Sequence, residues 1–138
     1  MGQPSVKRVF SAWLFALFGV IGMASTAQAE LRLAMFEQAG CAYCIMWHNE
    51  IGPIYPKTPE AAVAPLMTID LRGPLPEGLS IKSKPVFTPT FVLLRDGVEI
   101  DRLEGYPGED FFWGLIGKML REQPEWEQSL IEKGGVEG

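Results

Sequence analysis

The chain of 138 residues has little cysteine, almost no histidine and no long apolar run. Each scarcity excludes something. Its two cysteines, Cys41 and Cys44, stand three apart. A disulfide between them closes almost no loop and removes little entropy from the unfolded chain, so it adds little stability. The pair is there for reactivity. With no second cysteine pair and His48 as the sole histidine, the usual four-ligand zinc sets cannot be assembled. A Cys2His site from Cys41, Cys44 and His48 would still need Glu37 or Met35 as a fourth ligand, so no metal is expected. Basic residues number 12 against 17 acidic ones. That balance leaves no electrostatic footprint for nucleic acid or anionic lipid. Repeats, low-complexity tracts and a second domain are absent.

The apolar run from Val9 to Met23 spans 15 residues, short of the roughly 20 that cross a bilayer. Lys7 and Arg8 precede it, and Ala27-Gln28-Ala29 follows with small-x-small spacing. That order predicts a cleaved signal peptide over residues 1–29, with an uncleaved anchor as the alternative. No cysteine directly follows the run, which argues against a lipoprotein. Residues 30–138 then form a single domain of 109 residues, enough for a small core. The signal segment holds two basic and no acidic residues, so its loss moves the formal charge from −5 to −7.

Leu31 to Phe36 reads as a buried strand, and the run from Cys44 to about Ile51 as a helix ending at Gly52-Pro53. Thr58-Pro59-Glu60 opens a short helix, with Thr58 as cap. Pro65 to Leu71 alternates into a second strand. Residues 72–78 hold two prolines and two glycines and predict loop; residues 79–87 predict a short helix or irregular chain. Thr90 to Arg95 and Val98 to Leu103 predict a hairpin through Asp96-Gly97. Glu109 to Arg121 carries Phe111, Phe112, Leu115, Ile116, Met119 and Leu120 on one helical face. Pro124 opens a final short helix, and residues 134–138 predict a frayed tail. The expected fold is α/β: a central mixed four-stranded sheet with helices on both faces.

Cys41-Ala42-Tyr43-Cys44 falls at a strand-to-helix junction. A thiolate there meets the positive end of the helix dipole and unpaired amide donors, which lower thiol pKa values to roughly 3.5–7.5. Cys41 is the expected nucleophile, forming a mixed disulfide with a partner. Cys44, one turn inside the helix, is the expected resolving thiol. His48 is either a surface helix residue or a group that tunes Cys41. Tyr43 either shapes partner contact or is an exposed ring. Trp47 and Phe36 are expected in the core. Thr88-Pro89 heads the third strand, where proline cannot donate to the ladder. A cis bond and an ordinary trans proline both fit that position.

The chain resembles the thioredoxin superfamily through Cys41-Ala42-Tyr43-Cys44 after a first strand and Thr88-Pro89 before a hairpin. The likeness spans residues 31–121. It implies a thioredoxin-like fold, a cis Pro89 against the active-site disulfide, and partner binding at Thr88 and Pro89, beside which Tyr43 is a candidate partner contact. It implies no cofactor beyond the redox-active disulfide. The stretches 36–44 and 50–56 are similar to small exported thioredoxins of bacterial sulfur-oxidation systems, the SoxS type. That likeness implies a periplasmic monomer that reduces a sulfur-carrier protein trapped as a disulfide, with electrons from a membrane thiol transporter. Gly40 stands where thioredoxins usually carry Trp, and Ala42-Tyr43 where they carry Gly-Pro. Met35 stands where they carry a buried acid, leaving Cys44 without a base unless Glu37 or water serves. Tyr43 with Thr88 is similar to periplasmic isomerases. The alternatives are therefore an apocytochrome c reductant or disulfide isomerase, and a non-catalytic or metal-binding module of the same fold.

Overall fold

The computed structural model describes Gly2 and residues 29–134. The signal-peptide expectation for residues 1–29 thus lies almost entirely outside the described residues, as does the tail beyond Gly134. The elements are β1 (Leu31–Glu37), α1 (Ala42–Glu50), a 3-10 turn (Tyr55–Lys57), α2 (Pro59–Val63), β2 (Leu66–Asp70), β3 (Thr90–Arg95), β4 (Val98–Glu104), α3 (Glu109–Arg121) and α4 (Pro124–Gly134). The strands form one sheet in the order β2-β1-β3-β4. β1 and β2 are parallel; the other pairs are antiparallel. A parallel pair needs a crossover, which α1, the 3-10 turn and α2 provide. β3 and β4 need only a two-residue turn. Asp96 and Gly97 supply it with φ of 49° and 81°, the left-handed pair that a type I′ turn requires.

Both faces of β1 and β3 are buried, which is why these strands read as almost continuous apolar runs. Leu31, Leu33, Met35, Phe91 and Leu93 point to one face, where they meet Trp47, Tyr55, Phe112, Ile116 and Leu120. Trp47 lies 5.5 Å from Phe91, 5.8 Å from Phe112 and 6.4 Å from Tyr55, ring centre to ring centre. The buried Tyr55 hydroxyl donates to the Ala64 carbonyl at 2.8 Å. Burial, with Glu60 nearby, pushes that phenol well above its ordinary range.

The second face carries Ala34, Phe36, Ile69, Val92 and Leu94. Helices are expected on both faces, but among the described residues none packs here. Met67, Leu71, Leu79 and Ile81 cover it instead, and the segment between β2 and β3 contains no helix. Prolines and glycines break residues 72–78, and Ser80 bonds to β4 in place of a helical turn. It is pinned beside β4: the Ser80 amide donates to the Gly97 carbonyl and the Glu99 amide to the Ser80 carbonyl, each at 2.8 Å.

A register shift between Leu93 and Leu94 pairs Leu93 with Asp101 and Leu94 with Glu99. The extra residue on β4 is a β-bulge. It brings Glu99 and Arg102 onto the same face, where Arg102 Nε and Nη2 grip the Glu99 carboxylate at 2.7 and 2.8 Å. The Lys82 amide also donates to Glu99, at 2.7 Å. Arg102, ahead of Lys82, holds the Glu99 carboxyl below the usual carboxylate range against the effect of burial.

α3 has the charge order that a helix dipole favours, Glu109 and Asp110 first, Lys118 and Arg121 last. Its buried stripe is narrower than the sequence implies. Phe112, Ile116, Met119 and Leu120 are inside, while Phe111 and Leu115 on its flank are exposed. α4 is longer than expected, at 11 residues, and is tied to β3 by Arg95, whose Nε and Nη2 reach Glu125 at 2.7 and 2.9 Å.

Candidate active site

Gly40 turns the chain out of β1 with φ of 80°, in the left-handed region that suits glycine. The next residue, Cys41, caps α1, which begins at Ala42 rather than at Cys44 as the sequence suggests. The Cys44 amide donates to Cys41 Sγ at 3.1 Å. The sulfur therefore occupies the place where a helix start offers unpaired donors and positive potential. Cys41 and Cys44 are joined in a disulfide. Cys44 is 3% exposed and packs in the cluster with Met35 and Trp47. Of the two sulfurs, the capping one faces outward.

The Thr88–Pro89 bond is cis, as the family likeness implies. Cys41 Sγ lies 3.3 Å from the Thr88 carbonyl oxygen. In the disulfide that sulfur has no hydrogen to give; as a thiol it would donate to this oxygen. Gln38 Nε2 donates to Thr88 Oγ1 at 3.2 Å, the Gly105 amide to the Pro89 carbonyl at 2.7 Å, and Thr90 Oγ1 to the Phe87 carbonyl at 2.7 Å. The loop is thus held from β1's end, from β4's end and from within.

Tyr43 is 59% exposed and Phe87 61%. The two share the lining of a groove of about 450 Å³ with Thr88, Glu104, Gly105 and Tyr106. The floor is set by Tyr106, whose hydroxyl donates to Glu50 at 2.5 Å. Burial and that carboxylate push the Tyr106 phenol up, so it stays a donor. Cys41 meets Cys44 and Thr88, Tyr43 shares a groove with Thr88, and Pro89 follows Thr88 through the cis bond. Gln38, Phe87, Tyr106 and Glu50 are additions; no local pattern marks them, because they converge from four separate segments.

On the other side of the disulfide, His48 Nε2 lies 2.5 Å from Glu37 Oε2. Both line a second cleft, of about 340 Å³, with Cys41, Cys44, Ile45 and Asp70. Met35 is fully buried in the core. Among the described residues no group of three or more His, Cys, Asp or Glu side chains is placed to hold a metal ion, and no helix is long and apolar enough to cross a membrane.

No family model matches the chain, nor does any curated protein. Solved structures do. The periplasmic thioredoxin SoxS from Paracoccus pantotrophus, in its reduced form, is 55% identical, with coverage of 64% of this chain and 94% of that one and a TM-score of 0.63. A thioredoxin from Malassezia sympodialis (Mala s 13) is 21% identical, covering 64% of this chain and 76% of its own, with a TM-score of 0.44. Thioredoxin-2 of a malaria parasite is 18% identical, covering 66% and 84%, also with a TM-score of 0.44. These last two are too distant to carry weight. Kinship of 55% across nearly all of a bacterial thioredoxin, with a Cys-x-x-Cys disulfide at the helix cap, is decisive: the chain belongs to the thioredoxin superfamily, among its SoxS-type members, and is a thiol–disulfide oxidoreductase.

Proposed function

We propose that the protein works in the periplasm as a reductant of one protein disulfide, with Cys41 as nucleophile and Cys44 as resolving thiol. The observation that carries this reading is the Cys41 sulfur, placed at the helix cap, receiving the Cys44 amide and facing the Thr88 carbonyl. Reduced, Cys41 is favoured as a thiolate by the Cys44 amide and the positive end of α1. It attacks the partner disulfide in line, giving a mixed disulfide and a departing partner thiolate. Cys44 then attacks Cys41 Sγ, closing the enzyme disulfide and freeing the second partner thiolate. The groove lined by Tyr43, Phe87 and Thr88 offers the partner chain an apolar seat beside the sulfur.

The partner favoured by the family likeness is a periplasmic sulfur-carrier protein whose carrier cysteine is blocked as a disulfide. A membrane thiol transporter would return the electrons. The periplasmic setting rests on the relative's location and on the export signal read in residues 1–29.

Trapping tests this reading. In Cys44→Ser the mixed disulfide cannot be resolved, and the covalently held protein is identified by mass spectrometry from periplasmic extract. One dominant sulfur-carrier partner is the expected result. Cytochrome precursors or a broad mixture would replace the narrow assignment with general thiol maintenance. An empty trap, with Cys41→Ser retaining activity, would sink the assigned roles.

A further inference from the structure

Before Cys44 can attack, its thiol must lose a proton. It is almost fully buried beside Met35 and Trp47, surroundings that disfavour an anion. Met35 occupies the position where the family likeness leads one to expect a carboxylate, so that position offers no group to take the proton. The cleft side is different. Cys41, Cys44, Ile45 and His48 follow one another at helical spacing and line the same cleft as Glu37 and Asp70. Residues four apart on a helix have Cβ atoms about 5–6 Å from each other, which sets His48 next to Cys44.

Glu37 fixes the chemistry of that imidazole. An ionised carboxylate only accepts hydrogen bonds, so the His48 Nε2 facing Glu37 at 2.5 Å carries the hydrogen. Nδ1 is left with the lone pair. The other charge at the cleft is Asp70, at the end of β2; Lys84 stands beyond it, on the neighbouring apolar hollow. Glu37 is thus the carboxylate in contact with the imidazole, and Asp70 shares the cleft.

We propose that His48, oriented by Glu37, accepts the Cys44 proton during resolution. The inference rests on the roles of Cys41 and Cys44 given above. In the mixed disulfide the Cys44 S–H proton passes to His48 Nδ1, directly or through one water in the cleft. The Cys44 thiolate attacks Cys41 Sγ. The Cys41–Cys44 bond forms as the Cys41–partner bond breaks, and its electron pair leaves on the partner sulfur. The imidazolium then returns its proton to that thiolate or to solvent. His48 is the proton acceptor; Glu37 is a positioning residue.

The test uses fully reduced protein and a symmetrical aromatic disulfide that releases a coloured thiolate at each step. Attack by Cys41 gives the first release; attack by Cys44 gives the second. His48→Gln should leave the first within about twofold and slow the second about a hundredfold at neutral pH, the lower end of general-base effects. The pH dependence of the second release should differ between the wild type and His48→Gln, while that of the first release stays the same. Glu37→Gln should slow the second release less than His48→Gln does. Free imidazole should restore His48→Ala. His48 is 43% exposed in its side chain, so these variants should keep the wild-type urea midpoint. An unchanged second release in His48→Gln overturns the proposal, as does equal slowing of both releases. So does an Asp70→Asn variant slowed as much as His48→Gln, which would assign the effect to cleft charge. A wild type that gives only the first release overturns the two-cysteine reading, and this inference with it.

Discussion

One face of the sheet lies under helices and the other under residues 71–89, and different forces hold the two. On the helical side the contacts are among rings: Trp47, Tyr55, Phe91 and Phe112 interlock with no ionised group between them. On the other side a smaller apolar patch is capped by a segment that has no periodic structure of its own. What keeps that segment down is polar. Glu99 holds the Lys82 amide, and Arg102 holds both Glu99 and the Ser83 carbonyl. A ring core needs only shape and exclusion of water; a capped loop needs directed bonds, because its own backbone groups must be satisfied. The comparison teaches that one sheet can be held mainly by ring packing on one face, with the Arg95–Glu125 pair to α4 beside it, and by directed polar bonds on the other.

The strongest way to break the helical side is Trp47→Ala. Removing the fully buried indole should cost about 3–5 kcal/mol, read as a fall in the urea midpoint. On the loop side, Arg102→Met strands a carboxylate whose side chain is 1% exposed. Breaking such a pair costs about 3–5 kcal/mol when fully buried, and about 3 kcal/mol is expected here because Arg102 keeps some contact with water. Amide exchange at Lys82 and Ser83 should quicken in that variant and stay unchanged in Trp47→Ala.

Acid sharpens the contrast. The Glu99 carboxyl titrates below its unfolded value because of Arg102. A group lowered in the folded state contributes stability above its unfolded pKa, about 4.3, and loses it as pH falls through the lowered value. The deficit of Arg102→Met relative to wild type should therefore shrink below about pH 4, whereas the deficit of Trp47→Ala has no such group behind it and should persist. Urea titrations at neutral and acid pH decide this. The smallest effect is expected at Thr58, whose Oγ1 accepts from the Ala61 amide to cap α2. Thr58→Ala should cost about 1 kcal/mol, on the helical side alone.

Much of the helical side was legible from residue order. β1, the Asp96-Gly97 hairpin and α3 follow from local patterns, and so do Thr58 as a cap and Trp47 as core. Cys41 and Cys44 were legible as a reactive pair because two residues and a strand-to-helix junction carry the chemistry. The start of α1 was not: Cys is an unusual cap, and Ala42-Tyr43 shows no periodicity, so the sequence places the start two residues late. The loop side was opaque for a physical reason. Residues 71–89 have no period, and their place depends on Glu99 and Arg102, which meet only through a bulge that no single strand announces. The Glu37–His48 pair was equally hidden. Their meeting depends on where the end of β1 stands beside the last turn of α1.

That bulge has a consequence for how the chain can change over time. In a regular strand, two residues on one face are separated by an odd number of others; between Glu99 and Arg102 there are two, and the extra residue makes them neighbours. The clamp is thus a matter of counting. Replacing Ile100 or Asp101 leaves the count intact, while inserting or deleting a single residue there turns Arg102 to the opposite face and frees residues 80–83. Across related chains this stretch should vary in composition long before it varies in length.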